Sequence, residues 1–337
     1  MSNTNPAAIW IKNPLAIFAK DSDGGVVIQG QNIIELVSLG ETPNTHIDEI
    51  YDASASVLLP GLINTHHHFY QTLTRAYPEA LNKELFPWLK SLYKVWANIQ
   101  PEMLAVSTEL ALSELLLSGC TTASDHHYLF PSQLENAIDI QVEEAQKIGM
   151  RVVLTRGSMS LGEKDGGLPP QSVVQTKEKI LTDSERLIKA YHESEEGAMT
   201  QIALAPCSPF SVTTDLMIET SELAQQYDVR LHTHLAETID EEKFCLDQFG
   251  LRTLDYLESV GWLSNRTWLA HGIHFNKDEI QKLGQSGVGI CHCPSSNMVL
   301  ASGICHSLEL EEAGSIIGLG VDGSASNDGS NMVAELR

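Results

Sequence analysis

The feature that most constrains the fold is a regular alternation that begins after Pro60 and Gly61. From there, short apolar runs alternate with amphipathic segments of roughly ten to twenty residues, about eight times in all. Such an alternation is typical of a (β/α)8 barrel, in which each parallel strand is followed by a helix. We therefore predict an α/β fold with a TIM-like barrel over residues 60–337. The strands are predicted to begin near Val57, Thr121, Arg151, Ile202, Val229, Thr267, Val288 and Ile316, and helices are predicted at Met103–Leu117, Leu134–Ile148, Val174–Tyr191 and Leu216–Gln226.

Residues 8–59 have a different sequence pattern, in which short apolar runs are joined by tight turns. Strands are predicted at Ile9–Ile17, Gly25–Gln29 and Asn32–Ser38, since glycine-rich pairs and triplets of the kind that form turns lie between them. Residues 1–59 are accordingly predicted to form part of a small β-sandwich domain that precedes the barrel.

The composition excludes several classes of protein. The chain has 337 residues, of which 42% are hydrophobic and 19% charged, as in a globular protein. Its formal net charge of -23 would repel phosphate backbones, so nucleic acid is not an expected partner. No apolar run approaches the roughly eighteen residues of a membrane span, and the polar segment Met1–Pro6 lacks the layout of a signal peptide. We therefore expect a cytoplasmic protein that does not enter a membrane.

The six cysteines are scattered along the chain, which argues against a disulfide framework. Cys291 and Cys293 are separated by one residue, whereas a zinc-binding pair usually has two residues between its cysteines.

The first cluster of candidate ligands is Asn64-Thr65-His66-His67-His68, which follows an apolar run. Because side chains alternate along a strand, His66 and His68 should point the same way and His67 the opposite way. Two imidazoles on one face at the carboxyl end of a strand can bind one metal ion. The alternative is a polar strand end with unrelated histidines.

The second cluster is His232-Thr233-His234-Leu235-Ala236-Glu237, in which His232 and His234 again share a face. Glu237 follows His234 closely, and a carboxylate beside a metal-activated water can carry protons. The alternative is a helix whose first turn is acidic, which would suit the helix dipole. That alternative accounts well for the acids at 240–242 and less well for Glu237.

His271 and Asp322 complete the set. His271 ends a further apolar run, and Asp322 lies in Gly320-Val321-Asp322-Gly323, where an aspartate before glycine is commonly a turn residue. Each is uninformative alone. Taken together, the candidates lie at the carboxyl ends of the first, fifth, sixth and eighth predicted strands, and those ends meet in one pocket of a barrel.

Other chemistries fit the sequence less well. It contains neither a phosphate-binding Gly-x-x-x-x-Gly-Lys loop nor a Gly-x-Ser-x-Gly elbow. The zinc motif of cytidine deaminases is also missing, because Pro206-Cys207 is not followed by the required second cysteine.

The combination of motifs resembles the amidohydrolase superfamily. The resemblance runs from about Trp10 to the chain end and rests on four signatures in order: Pro60-Gly61-Leu62-Ile63-Asn64-Thr65-His66-His67-His68, His234-Leu235-Ala236-Glu237, Ala270-His271-Gly272 and Val321-Asp322-Gly323-Ser324. Within the superfamily the sequence is similar to the deaminase branch, which includes guanine deaminases and chlorohydrolase-like enzymes.

The resemblance implies a site with one divalent metal, held by His66, His68, His234 and Asp322. Zinc is the first expectation and iron(II) the alternative, since imidazole and carboxylate ligands suit both. His271 would orient a metal-activated water, and Glu237 would protonate a ring nitrogen. Asp322 would also pass a proton to the departing amine.

The implied reaction is hydrolytic deamination of a small purine-like ring. The expected conversion is 8-oxoguanine plus water to uric acid plus ammonia, with guanine or a hydroxyatrazine-type triazine as alternative substrates of the same site. A barrel that has lost catalysis is a rival of another class, although such a protein would have no need of Glu237. A two-metal hydrolase is disfavoured because Ala205-Pro206-Cys207 offers no lysine for carboxylation.

Contacts to the substrate are predicted at six positions, with a structural alternative for most of them. Gln71 would pair with a ring edge, and Trp88 would form an aromatic wall or pack within a helix. Arg156 would face ring oxygens or pair with a neighbouring acid. The remaining candidates are Cys207, Cys293 and Ser295, of which the cysteines can also be buried fillers; His126, His127, His274, His292 and His306 are interpreted as structural.

Members of the superfamily normally continue past the last strand with a closing helix and further sandwich strands. The sequence stops at Arg337, so those elements are expected to be missing and the chain to be C-terminally short. Dimers are common among similar enzymes, which leaves a homo-oligomer open.

Overall fold

The computed structural model describes residues 6–337, which divide into two compact units. One unit runs from the start of the described residues to Gly61 and includes Glu195–Gly197. The other comprises Leu62–Ser194 and Ala198–Arg337.

The first unit is built from short strands, as the sequence predicts. The single strand predicted at Ile9–Ile17 is wrong, because that run is divided into two strands, with a left-handed φ of +56° at Asn13 between them. The strands are β1 (Ala8–Lys12), β2 (Ala16–Ile17), β3 (Gly25–Gln29), β4 (Asn32–Val37), β5 (Glu49–Asp52) and β6 (Val57–Leu58). Four of them form a sheet in the order β4-β3-β1-β5, and β2 and β6 form a separate parallel pair. Gly25 begins β3 with a φ of +109°, and a Cβ there would lie 1.9 Å from the carbonyl oxygen of Ile11.

The second unit is a closed barrel of eight parallel strands, which confirms the predicted fold class. One strand prediction is wrong: Val57 and Leu58 pair with Ala16 and Ile17 in the first unit, and the first barrel strand begins at Leu62. The barrel strands are β7 (Leu62–Asn64), β8 (Cys120–His127), β9 (Arg151–Ser158), β10 (Thr200–Pro206), β11 (Leu231–Leu235), β12 (Thr267–His271), β13 (Gly289–His292) and β14 (Ile317–Leu319).

Helices follow the barrel strands, and local signals set several of their ends. Asn276 forms a capping box with Glu279, and Gly149 ends a helix with a φ of +78°. The helices are α1 (Leu85–Trp96), α2 (Pro101–Leu117), α3 (Ala137–Ile148), α4 (Lys177–Tyr191), α5 (Thr214–Tyr227), α6 (Ile239–Phe249), α7 (Thr253–Ser259), α8 (Lys277–Ser286), α9 (Pro294–Val299), α10 (Ser307–Ala313) and α11 (Met332–Glu335).

Apolar side chains from strands and helices pack between the two layers of the barrel, and Trp96 and Trp262 are the largest among those that are fully buried. This core holds the strand ends in fixed positions. Across residues 6–337, no helix has both the length and the apolar character that crossing a bilayer requires.

Candidate active site

The carboxyl ends of the barrel strands bring four predicted ligand side chains together. Asp322 Oδ1 lies 3.2 Å from His66 Nε2 and 3.1 Å from His68 Nε2. His234 Nε2 lies 3.2 Å from His68 Nε2. All four residues are buried. Residues 66 and 322 are also joined through the backbone, because the Asp322 N–H donates to the His66 carbonyl at 3.1 Å.

Backbone carbonyls fix the tautomers of two of these histidines. His68 Nδ1 lies 2.7 Å from the carbonyl oxygen of His126, and His234 Nδ1 lies 2.7 Å from that of Cys207. A carbonyl oxygen can only accept, so each Nδ1 carries a proton and donates it. In the neutral form of each ring, Nε2 therefore presents a lone pair to the centre of the site.

The central donor set fits a divalent cation. The buried Nε2 of His66 has no hydrogen-bond partner, although it faces the Asp322 carboxylate. Burial alone would raise the pKa of Asp322, but its contacts with His66 and His68 outweigh burial and hold that pKa well below its usual value. Imidazole nitrogens and an ionised carboxylate that converge in a buried space are ligands that zinc and iron(II) accept.

The second oxygen of Asp322 is held by the start of α9. Ser296 Oγ donates to Asp322 Oδ2 at 2.6 Å. His271 Nε2 lies 4.0 Å from the same oxygen and 3.5 Å from Glu237 Oε2. The opposite ring nitrogen of His271 contacts Asn297 Oδ1 at 2.9 Å. His271 is thereby placed between the two carboxyl groups.

Glu237 lies buried at the edge of the cluster, in the turn between β11 and α6. Burial raises its pKa well above the usual value, and the charge of Asp322 raises it further. The turn is held by Glu241, whose carboxylate accepts the N–H of Ala236 at 3.0 Å and that of Glu237 at 2.9 Å. A carboxyl group that keeps its proton near neutral pH can act as a general acid.

Three residues of the site have left-handed backbone φ angles, which residues other than glycine rarely adopt. The φ values are +53° at Ala236, +72° at His271 and +57° at Asp322. Such angles cost on the order of 1–3 kcal/mol each and persist only where the surrounding structure imposes them. Here they turn the chain sharply at three strand ends and direct polar groups inward.

A cavity adjoins the cluster and is walled mainly by apolar side chains. Gln71, from the 3₁₀ turn Phe69–Thr74, has an amide oxygen without a hydrogen-bond partner. Among residues 6–337, no lysine or arginine lines this cavity. Besides the cluster, its walls comprise Gln71, Leu85, Trp88, Leu89, Tyr128, Cys207, Phe210 and Leu300.

Three of the six predicted substrate contacts line this cavity, namely Gln71, Trp88 and Cys207, and three do not. Arg156 instead takes its alternative position: its Nε donates to Asp183 at 2.7 Å, and its guanidinium lies 3.7 Å from the centre of the Phe130 ring.

The other two positions point elsewhere. Cys293 Sγ is buried 3.7 Å from Cys291 Sγ. The Ser295 N–H donates to the Glu335 carboxylate at 3.2 Å. Both residues therefore contact neighbouring protein groups and do not face the cavity.

The sequence assigned no site role to two further histidines that lie in the cluster. His126, interpreted as structural, groups with the candidate ligands and stacks on His234 with ring centres 4.6 Å apart. His232 contacts His66 Nδ1 through its Nε2 at 2.8 Å. The strand alternation that places His232 beside His234 is a signal for the second; Ser296, Asn297 and Glu241 carried no comparable signal.

The chain is similar to several characterised proteins. It is 65% identical over 331 residues to an 8-oxoguanine deaminase of Pseudomonas aeruginosa, covering 97% of this chain and 74% of that protein. It is 34% identical to an isoxanthopterin deaminase from an unknown prokaryotic organism, covering 92% of this chain and 64% of the relative.

A solved structure shares the fold. The crystal structure of an atrazine chlorohydrolase from Arthrobacter aurescens TC1, complexed with zinc, superimposes with a TM-score of 0.91 at 30% identity. The match covers 97% of this chain and 75% of that chain. A sequence model of the Amidohydrolase family matches residues 57–337, which include every residue of the candidate site. This chain therefore belongs to the amidohydrolase family.

Proposed function

We propose that this protein hydrolytically deaminates 8-oxoguanine to uric acid and ammonia. The observation that carries the proposal is the convergence of three imidazoles and the Asp322 carboxylate beside a buried Glu237 with a raised pKa. The choice of 8-oxoguanine as the substrate is supported by the 65% identity to an 8-oxoguanine deaminase.

In this proposal His66, His68, His234 and Asp322 hold one divalent metal, with zinc first and iron(II) as the alternative. When bound, such a metal lowers the pKa of water to about 7 and so supplies a nucleophile at neutral pH. Zinc is favoured by the donor types and by the zinc in the similar atrazine chlorohydrolase. His126 would be a further candidate ligand, because it has a ring nitrogen within 4.8 Å of ring nitrogens of His66, His68 and His234.

The protons are moved by side chains around the ring. Glu237, whose raised pKa keeps it protonated, donates to the ring nitrogen next to the attacked carbon. His271 orients the attacking water through its position between Glu237 and Asp322. Asp322 takes one proton from that water and delivers it to the departing amine. As the carbon–nitrogen bond breaks and ammonia leaves, the remaining hydroxyl proton returns to Glu237, and a ring carbonyl remains.

The side chains that line the cavity favour a flat, uncharged ring. Trp88, Phe210 and leucine side chains supply apolar walls. The unpaired amide oxygen of Gln71 can accept a hydrogen bond from a ring N–H. A triazine aminohydrolase is the second candidate, since the structurally similar chlorohydrolase acts on atrazine and the same walls would accommodate a triazine.

The proposal is tested with Glu237→Gln, which keeps the shape of the side chain and removes the acid. We expect the rate of ammonia release from 8-oxoguanine to fall by about 10²–10⁴-fold, while the metal-to-protein ratio stays unchanged. Glu109→Gln, an exposed position on α2, is the matched control and should be fully active. A fully active Glu237→Gln enzyme would contradict the role of Glu237.

A further inference from the structure

The ligand histidines differ in what holds their outer ring nitrogen. Whereas His68 and His234 donate Nδ1–H to backbone carbonyls, His66 Nδ1 faces another imidazole, His232 Nε2, at 2.8 Å. Both rings are fully buried. A contact between two imidazole nitrogens holds a single proton, and that contact alone does not determine which ring carries it.

A second contact determines where that proton lies. His232 Nδ1 lies 2.9 Å from the carbonyl oxygen of Trp268, which can only accept, so the proton of His232 is on Nδ1. In a neutral ring the Nε2 of His232 is then a bare acceptor. His66 must therefore donate from its Nδ1. Its Nε2 is left unprotonated and faces Asp322, as a metal ligand requires.

Packing prevents the His232 ring from turning away. The indole of Trp268 stacks on it, with ring centres 4.3 Å apart and planes 17° apart. The ring of His126 lies 4.9 Å from its centre. The indole Nε1 of Trp268 also donates at 3.0 Å to the carbonyl of Thr65, the residue before His66. Trp268 therefore contacts both the His232 ring and the backbone next to His66.

We propose that His232 is a positioning residue that fixes the metal-binding tautomer of His66. This inference rests on the proposed function through its ligand set. It assigns a task to the first histidine of His232-Thr233-His234, which would not itself contact the metal. Loss of such an outer partner typically weakens metal binding by about 10–100-fold.

Two substitutions distinguish the effect of the His232 hydrogen-bond acceptor from the effect of the volume of its ring. His232→Leu removes the acceptor, whereas His232→Gln can place a side-chain oxygen near the former Nε2. We expect zinc affinity, measured by chelator competition at equilibrium, to fall by about 10–100-fold in His232→Leu and to be largely restored in His232→Gln. His292→Gln on β13 is the control, because His292 belongs to neither group of candidate ligands, and it should bind zinc normally.

A direct reading of the tautomer comes from the metal-free protein. Nitrogen-15 chemical shifts of His66 should show a protonated Nδ1 and a bare Nε2 in the wild type, and a mixture of tautomers in His232→Leu. If that variant fails to fold, His232→Asn, whose shorter side chain reaches Trp268 but not His66, replaces it. A bare Nδ1 on His66 in the wild type would overturn the proposal.

The outcomes also distinguish this inference from the proposed function. Unchanged zinc affinity in a folded His232→Leu protein overturns the positioning role and leaves the ligand set intact. A wild-type protein that binds no zinc overturns both. Weak binding in both His232→Leu and His232→Gln, with an unchanged His66 tautomer, assigns His232 to packing alone and also overturns the proposal.

Discussion

Gly323 is the position at which one methyl group should disable substrate binding. It directly follows Asp322, and a Cβ built on it would lie 1.9 Å from Gln71 Oε1 and 2.1 Å from Gln71 Cδ. Cβ atoms do not approach other heavy atoms closer than 3.0 Å, so in Gly323→Ala the Gln71 amide must retreat by more than 1 Å. The backbone tolerates alanine, because Gly323 is not left-handed.

The size of the effect follows from the lost contact. Gln71 is 1% exposed and its Oε1 is the amide oxygen assigned to a ring N–H. Loss of one buried hydrogen bond costs about 1–3 kcal/mol, which corresponds to about 5–150-fold in kcat/KM. Stability should change less than in typical overpacking, because the methyl group meets the far end of a flexible side chain.

The assay is ammonia release from 8-oxoguanine by Gly323→Ala, Gln71→Ala and the double variant, each with its metal content measured. If the methyl group acts through Gln71, the two losses should not add, and Gly323→Ala should cost nothing further in the Gln71→Ala background. Gly329→Ala is the control, since its Cβ would meet nothing within 4 Å. A wild-type kcat/KM in Gly323→Ala, or full additivity of the two losses, would show that the methyl group does not act through Gln71.

Three further predictions concern residues outside the cavity. Arg156→Ala should lower the free energy of unfolding by about 1–3 kcal/mol, because the hydrogen bonds of the buried guanidinium to Asp183 and Gln175 are lost while Asp183 keeps its contact with Arg186, and should leave kcat/KM unchanged in steady-state assays. Glu241→Gln should lose about 1–3 kcal/mol of stability and lower kcat, since one N–H of the Glu237 turn loses its acceptor. The backbone N–H of Asn44, as the largest cause, and then the contacts with Thr45 lower the pKa of Glu35 to about 2. Glu35→Gln should therefore reduce stability at pH 7, and denaturant titrations should show the difference shrinking as the pH falls below 4.5 toward 2.

Each of these three has an outcome that contradicts it. A raised KM with unchanged stability in Arg156→Ala would return Arg156 to the substrate. Unchanged stability and kcat in Glu241→Gln would mean that the turn holds Glu237 without that carboxylate. A stability difference for Glu35→Gln that persists undiminished at pH 3 would show that its ionised form is not what stabilises the protein.

The fold and the close approach of the site histidines could both be predicted from the sequence, and for the same reason. Apolar periodicity marks the strands, and parallel strands in a barrel bring their carboxyl ends to one face. The alternation of side chains along a strand then places His66 with His68, and His232 with His234. Geometry of this kind depends on local spacing, which a single sequence records. The metal-ligand and catalytic roles of these residues remain predictions.

Features that depend on contacts between distant segments could not be read in the same way. The apolar run at Val57 resembles the start of a barrel strand in sequence. Only the pairing of Val57 with Ala16 shows that it belongs to the first unit. Arg156 bonds to an acid 27 residues away, and the Ser295 N–H donates to one 40 residues away. The sequence contains several acidic residues that could pair with either group. The packing of α4 and of α11 determines which acid each group contacts.

Deamination of 8-oxoguanine is tested by offering metal-loaded protein 8-oxoguanine, guanine and hydroxyatrazine in parallel and measuring ammonia together with the ring product. We expect rapid ammonia release from 8-oxoguanine, with uric acid formed in equal amount, and little from the other two rings. Release confined to guanine or hydroxyatrazine would contradict the substrate, and no release from any ring with metal bound would contradict the deaminase itself.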